Sequence, residues 1–213
     1  YKLEGGDFNM DHVVNAIATF QRSRVFRPFT SKYDYYLAGK VALTEQEKRG
    51  LELFNDEKKG NCAACHPSTV GEDGTPPLFT DYTYDNLGAP FNANSPLYSQ
   101  DMQFNPEGEK AIDIGLGKTT GRPEDYGKFK VSTLRNIALT PPYMHNGVFA
   151  TLREVVDFYN TRDTDKKWAP AEVQENVNVE ELGDLKLTDA EVDDIVVFME
   201  TLTDGYDVRE GKN

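Results

Sequence analysis

The sequence is poor in cysteine, histidine and long apolar runs, and each shortage removes a class of protein. Two Cys and three His among 213 residues leave no second ligand pair for a structural zinc site, which takes four ligands. No segment approaches the roughly 20 apolar residues of a membrane-spanning helix. Basic residues are outnumbered: 23 Lys plus Arg against 36 Asp plus Glu give a formal net charge of −13. Nucleic acid calls for a basic footprint, so this balance argues against it. Surplus acid leaves room for basic protein partners and also serves solubility. Trp occurs once, but 12 Phe and 11 Tyr supply bulky core material. Apolar residues recur in patterned segments, which argues against disorder. The length suits one large domain or two small ones. The chain starts at Tyr1, without an initiator Met or signal peptide, and reads as a processed or trimmed product.

The two cysteines sit together, in Asn61-Cys62-Ala63-Ala64-Cys65-His66-Pro67. A Cys-x-x-Cys-His run is the attachment signal for c-type haem. Two thiols reach two vinyl groups on one porphyrin edge, and the adjacent imidazole turns under the ring to bind iron. A redox dithiol would not require His66, and no βαβ pattern surrounds the run. A disulfide between the two would leave His66 unexplained. One covalent haem c is therefore expected. Such attachment takes place outside the cytoplasm, so the expected location is periplasmic.

Residues 10–21 place Met10, Val13, Val14, Ile17 and Gln21 at helical spacing, with His12 beside the stripe as a surface residue. Residues 22–43 read as a connector. Thr44 to Glu47 is a capping box that opens the next helix, which passes Leu51 and Phe54 and stops before Gly60. Residues 67–130 hold much of the Pro, Gly, Asp and Asn and read as loops and short elements. Thr151 to Glu154 is a second capping box. Leu152, Val155, Val156 and Tyr159 follow on one helical face, which points Tyr159 inward. Thr188 to Glu191 opens the last helix, with Val192, Ile195, Val196, Met199 and Leu202 as its buried face. A helix just before the haem run and a helix at the C-terminus suggest a cytochrome c core, in which the two cross beside the haem. Gly50 is the expected point of close approach and Phe198 an aromatic partner. The fold class is thus mostly α: a cytochrome c-like haem domain with long loops, preceded by a helix from an adjoining domain. The expected divisions are 1–43 (helix and connector), 44–205 (haem domain) and 206–213 (a fraying tail).

His66 fills one axial position of the iron. Candidates for the other are Met102, Met144, Met199, His145 and Tyr159. Met thioether raises the reduction potential, whereas a phenolate oxygen favours oxidised iron. Met199 suits packing and Met102 lies in a polar loop. The residues alone leave Met144, His145 and Tyr159 open.

Longer stretches carry a resemblance. They are Leu43 to Phe54, Cys62 to His66, Gly127 to Asn136, Leu139 to Gly147 and Thr151 to Tyr159. Together, over about Asp7 to Asp204, the chain resembles the bacterial di-haem cytochrome c peroxidases and their MauG-type relatives. Ser132 stands where many relatives have Pro. The matching part is their C-terminal haem domain, with residues 1–43 resembling the end of the N-terminal one. The resemblance implies that a peroxide-binding N-terminal haem domain is missing here, either cut away or lost in a single-haem descendant. It implies Tyr159 as distal iron ligand, with Met144 the rival. His145 and Arg135 would serve the cofactor, Arg135 by pairing with a propionate. The main-chain carbonyls of Thr140 and Pro142 would help hold a calcium ion between the haems. No catalytic residue is assigned within this chain. The implied function is a haem oxidoreductase of the peroxidase/MauG type, in which this haem stores or relays oxidising equivalents from peroxide. Its partner would be a redox protein or a protein substrate. The competing expectations are a single-haem electron-transfer cytochrome c and a docking subunit with the haem as relay.

Overall fold

Three helices begin where the sequence places its capping boxes. In the computed structural model Thr44, Thr151 and Thr188 each accept the N–H of the residue three further on, and Glu47, Glu154 and Glu191 reach back to the caps. The structure describes residues 8–108 and 111–212, without the side chain of Arg24. Tyr1 and Asp7, named above, lie outside them, as does the last residue of the 206–213 tail. Two further boxes escape the Ser/Thr-x-x-Glu/Gln pattern because their third residue is unusual. Asn9 pairs with His12 at the start of α1 (Met10–Gln21), and Ser31 with Asp34 at the start of α2 (Lys32–Leu37).

Helix α3 (Glu45–Asn55) lies across α6 (Asp189–Glu200). Gly50 makes this crossing: a Cβ there would run into the main chain of Asp194 and the Cβ of Phe198. Phe54 and Phe198 meet edge to face, 5.1 Å between ring centres, and both are fully buried. Each such ring contributes about 1.5–3 kcal/mol by burial. Arg49 grips the nearly buried Asp194 through two bonds of 2.8 and 3.1 Å and ties α3 to α6. Val192, Ile195 and Met199 of α6 and Leu202 just past its end are buried as the spacing predicts, and Phe198 joins them, whereas Val196, expected on the same face, is only partly buried.

Residues 22–43, expected to be a connector, contain α2, and α2 is part of the core. Tyr33 is buried against Phe79 and Phe198, and its N–H donates to the Thr201 carbonyl at 3.1 Å. Six residues are too few for a visible helical period, so the segment reads as linker. Helix α1 is where the spacing puts it, but no residue of it is buried, and Val14, Ile17 and Phe20 are each more than half exposed. The stretch 67–130 is mostly irregular. It holds a short helix, α4 (Leu116–Thr120), and a strand pair, β1 (Tyr84–Asp85) antiparallel to β2 (Phe129–Lys130), with Asp85 opposite Phe129. The tail is held at its start: the Tyr206 N–H donates to the Thr30 carbonyl at 3.0 Å. Among the described residues no helix is long and apolar enough to cross a membrane.

Candidate haem site

Helix α3 delivers the Cys-x-x-Cys-His run. Past its end, the Gly60 N–H returns to the Leu53 carbonyl at 3.1 Å and Asn61 takes a left-handed conformation, φ +51°. A 3-10 turn over Cys62–Ala64 follows, closed when the His66 N–H donates to the Cys62 carbonyl at 2.9 Å. Both thiols are free. Burial pushes Cys62 up to about 12 and Cys65 up to about 11, Cys65 also feeling Glu181, Asp81 and Asp85. Both are therefore protonated at neutral pH.

His66 is oriented from outside the run. Its Nδ1 lies 2.7 Å from the Phe79 carbonyl oxygen. A carbonyl only accepts, so Nδ1 carries the proton and Nε2 keeps its lone pair, the arrangement of a metal-ligating imidazole. Burial also lowers the His66 pKa, against the Phe79 bond and Asp81, which favours the neutral form. Phe79 is itself buried, at φ +51°.

His66, Cys62 and Cys65 line a cavity of about 480 Å³, within the 300–1,000 Å³ typical of cofactor sites. Much of its wall is apolar: Leu134, Ile137, Leu152, Val155, Val156 and Met199. Asp85, Asn86, Lys130, Glu172 and Glu181 add polar groups. Two free thiols, an imidazole with an available nitrogen and an apolar slot together fit haem c.

Met144, His145 and Tyr159 all line this cavity. Helix α5 (Leu152–Thr161) carries Tyr159, whose hydroxyl lies 3.8 Å from the Met144 sulfur. Burial pushes the Tyr159 phenol far up, reinforced by Cys62, Cys65 and Asp85 and opposed by Arg162. Facing protein alone it stays protonated; a cation such as ferric iron would invert that preference. His145 stacks on Phe129, ring centres 3.6 Å apart and 7° from parallel, with Nε2 3.4 Å from Glu172. Burial lowers its pKa and Glu172 opposes the shift. Met102 is 75% exposed, while Met199 is a core residue that also touches the cavity.

Arg135 is placed differently from the propionate partner expected of it. It does not line the cavity. Its guanidinium pairs with Asp34 through bonds of 3.0 and 2.8 Å, donates to the Pro77 carbonyl at 2.9 Å and covers the Phe29 ring. The fork geometry that suits a propionate is satisfied by a protein carboxylate. Thr140 and Pro142 are exposed, and their carbonyls accept no hydrogen bond among the described residues.

Sequence reasoning missed Phe79, Phe129, Glu172 and Arg162. Arg162 is 7% exposed and donates to the carbonyls of Leu87, Asn178 and Leu182, drawing these loops to the end of α5. All four act through long-range contacts, and no local spacing signals them.

The fold and this cavity define a c-type haem domain of the cytochrome c class. No protein-family model matches the chain. It is 36% identical to the methylamine utilization protein MauG of Paracoccus denitrificans, over 95% of this chain and 54% of that protein. It is 36% identical to the cytochrome-c peroxidase IdrP1 of Pseudomonas sp. strain SCT, over 91% of this chain and 50% of that one. Among solved structures, the diheme peroxidase BthA of Burkholderia thailandensis superposes with a TM-score of 0.74 at 33% identity, covering 92% of this chain and 52% of that one. A MauG-like protein associated with microbial copper homeostasis gives 0.65 at 32% identity, covering 93% and 58%. The chain is similar to the di-haem cytochrome c peroxidases and MauG over nearly all of its own length, and spans about half the length of these relatives.

Proposed function

We propose that this chain is the C-terminal haem domain of a peroxidase/MauG-type oxidoreductase and holds a six-coordinate haem c. Haem c, when bound, supplies a one-electron redox centre. Cys62 and Cys65 would hold its edge covalently. His66 would hold the iron through Nε2, with Nδ1–H fixed by the Phe79 carbonyl. Tyr159 would hold it through its oxygen, as phenolate, and would favour the oxidised state. With Tyr159 and His66 both holding the iron, peroxide would be kept away from this site. Peroxide would react at a second haem outside these residues, and this domain would store or relay the oxidising equivalents. Their destination is a redox protein or an oxidisable protein side chain, in the periplasm. Calcium on the Thr140 and Pro142 carbonyls is part of the same reading.

The observation that carries the proposal is the Tyr159 hydroxyl in the same apolar cavity as the His66 imidazole. The test is cyanide binding to the haem-loaded ferric chain. Slow, weak binding in wild type and fast binding in Tyr159→Phe/Met144→Leu is expected. Rapid binding by wild type overturns six-coordination. The Met144 sulfur in that cavity favours a second reading, a single-haem electron-transfer cytochrome c with Met ligation. A high midpoint potential that Tyr159→Phe leaves unchanged would support it.

A further inference from the structure

Glu172 is a buried carboxylate that the proposed function does not use. Its side chain is 3% exposed, and among the described residues no Lys or Arg pairs with it. It accepts from Asn146 Nδ2 at 3.1 Å and Tyr98 Oη at 3.4 Å, and lies 3.4 Å from His145 Nε2. Its own main chain is pinned, the N–H donating to the Ala89 carbonyl at 2.9 Å. Two of its three partners are consecutive residues that directly follow Met144. Met144 itself sits at φ +69°, a conformation that side-chain-bearing residues hold only when their surroundings impose it.

The Tyr143 N–H donates to the Phe149 carbonyl at 2.7 Å and closes the base of the turn. Phe129 stacks on His145, and Glu172 binds His145 and Asn146. Asn146 also donates to the Pro90 carbonyl at 2.8 Å. The turn is thus clamped with the Met144 sulfur against the Tyr159 hydroxyl.

We infer that Glu172 is a positioning residue that selects the distal ligand: by clamping the turn at His145 and Asn146, it keeps the Met144 thioether off the iron and leaves the position to Tyr159. The inference rests on the ligation proposed above. Without the carboxylate, Met144 would relax from its left-handed conformation and its sulfur would compete with Tyr159 for the iron. Glu172→Gln keeps the length and the acceptor for Asn146, and is expected to keep the clamp.

The test uses haem-loaded protein and reads the near-infrared thioether-to-ferric charge-transfer band together with the midpoint potential. Glu172→Ala is expected to gain the band and move to higher potential. Glu172→Gln should match wild type, and Glu172→Ala/Met144→Leu should lose the band again. A Glu172→Ala protein with the wild-type band pattern and potential overturns the inference alone. So does a change that persists in the Met144→Leu double variant. A wild type that already has the thioether band overturns the ligation reading and this inference together. If Glu172→Ala does not fold, Asn146→Ala decides: a gained band supports the clamp and a wild-type spectrum overturns it.

Discussion

The Tyr159 hydroxyl lies 3.8 Å from the Met144 sulfur, so two side chains with iron-binding atoms face each other across one cavity. They differ in what they would do to bound iron. A thioether stabilises the reduced metal and a phenolate the oxidised one. One comes from a helix and the other from a clamped turn, so their relative placement is set by tertiary contacts.

Tyr159→Phe isolates the phenol. It preserves the ring and removes one weak contact to sulfur, so stability should fall by no more than about 0.5–1.5 kcal/mol. The ferric spectrum of the haem-loaded protein should lose its phenolate signature, and the midpoint potential should rise. An unchanged spectrum would show that the phenol does not bind iron.

The cysteines test covalent attachment. Wild type should keep its haem through a denaturing gel stained for haem. Cys62→Ser/Cys65→Ser should release all of it, because non-covalent contacts vanish with the fold.

Arg135 and Asp34 form an ion pair with side chains 10% and 8% exposed. Removing one partner strands the other charge, so Arg135→Ala should cost about 3–5 kcal/mol. Burial raises the Asp34 pKa, but the Arg135 bonds and charge and the Ser31 bonds outweigh it, and the net shift is downward. A lowered carboxyl contributes stability that is complete above the unfolded value, about 3.9. That stability is lost as pH falls through the lower folded value. Denaturant midpoints at neutral pH and near pH 3 should therefore show the gap between wild type and variant narrowing in acid. A constant gap would sink the assignment.

Gly50→Ala sets two effects against each other. Helix propensity favours Ala by about 1 kcal/mol. The added Cβ meets the Asp194 main chain and the Phe198 Cβ, and overpacking of this kind costs about 1–3 kcal/mol or more. Because the obstacle is backbone, the clash should win and lower the thermal midpoint. A raised midpoint would mean that α3 and α6 separate without penalty.

Much of this protein is legible in local pattern. Cys62, Cys65 and His66 carry their chemistry in their spacing, and Thr44, Thr151 and Thr188 mark helix starts because a cap is a contact across three residues. The 3.6-residue period turns Tyr159 and Ile195 inward. Gly50 is readable as a crossing point once two helices are expected to meet. Elsewhere the sequence is silent, because the deciding contacts join distant residues. Tyr33 belongs to the core although its helix is too short to show a period. Arg135 has a fork that would suit a propionate or a carboxylate equally, and only the fold brings Asp34 to it. The His66 tautomer depends on a carbonyl 13 residues away, and the Met144 turn on a carboxylate 26 residues from Asn146. Spacing names the residues able to bind iron; three-dimensional packing decides which of them face one another.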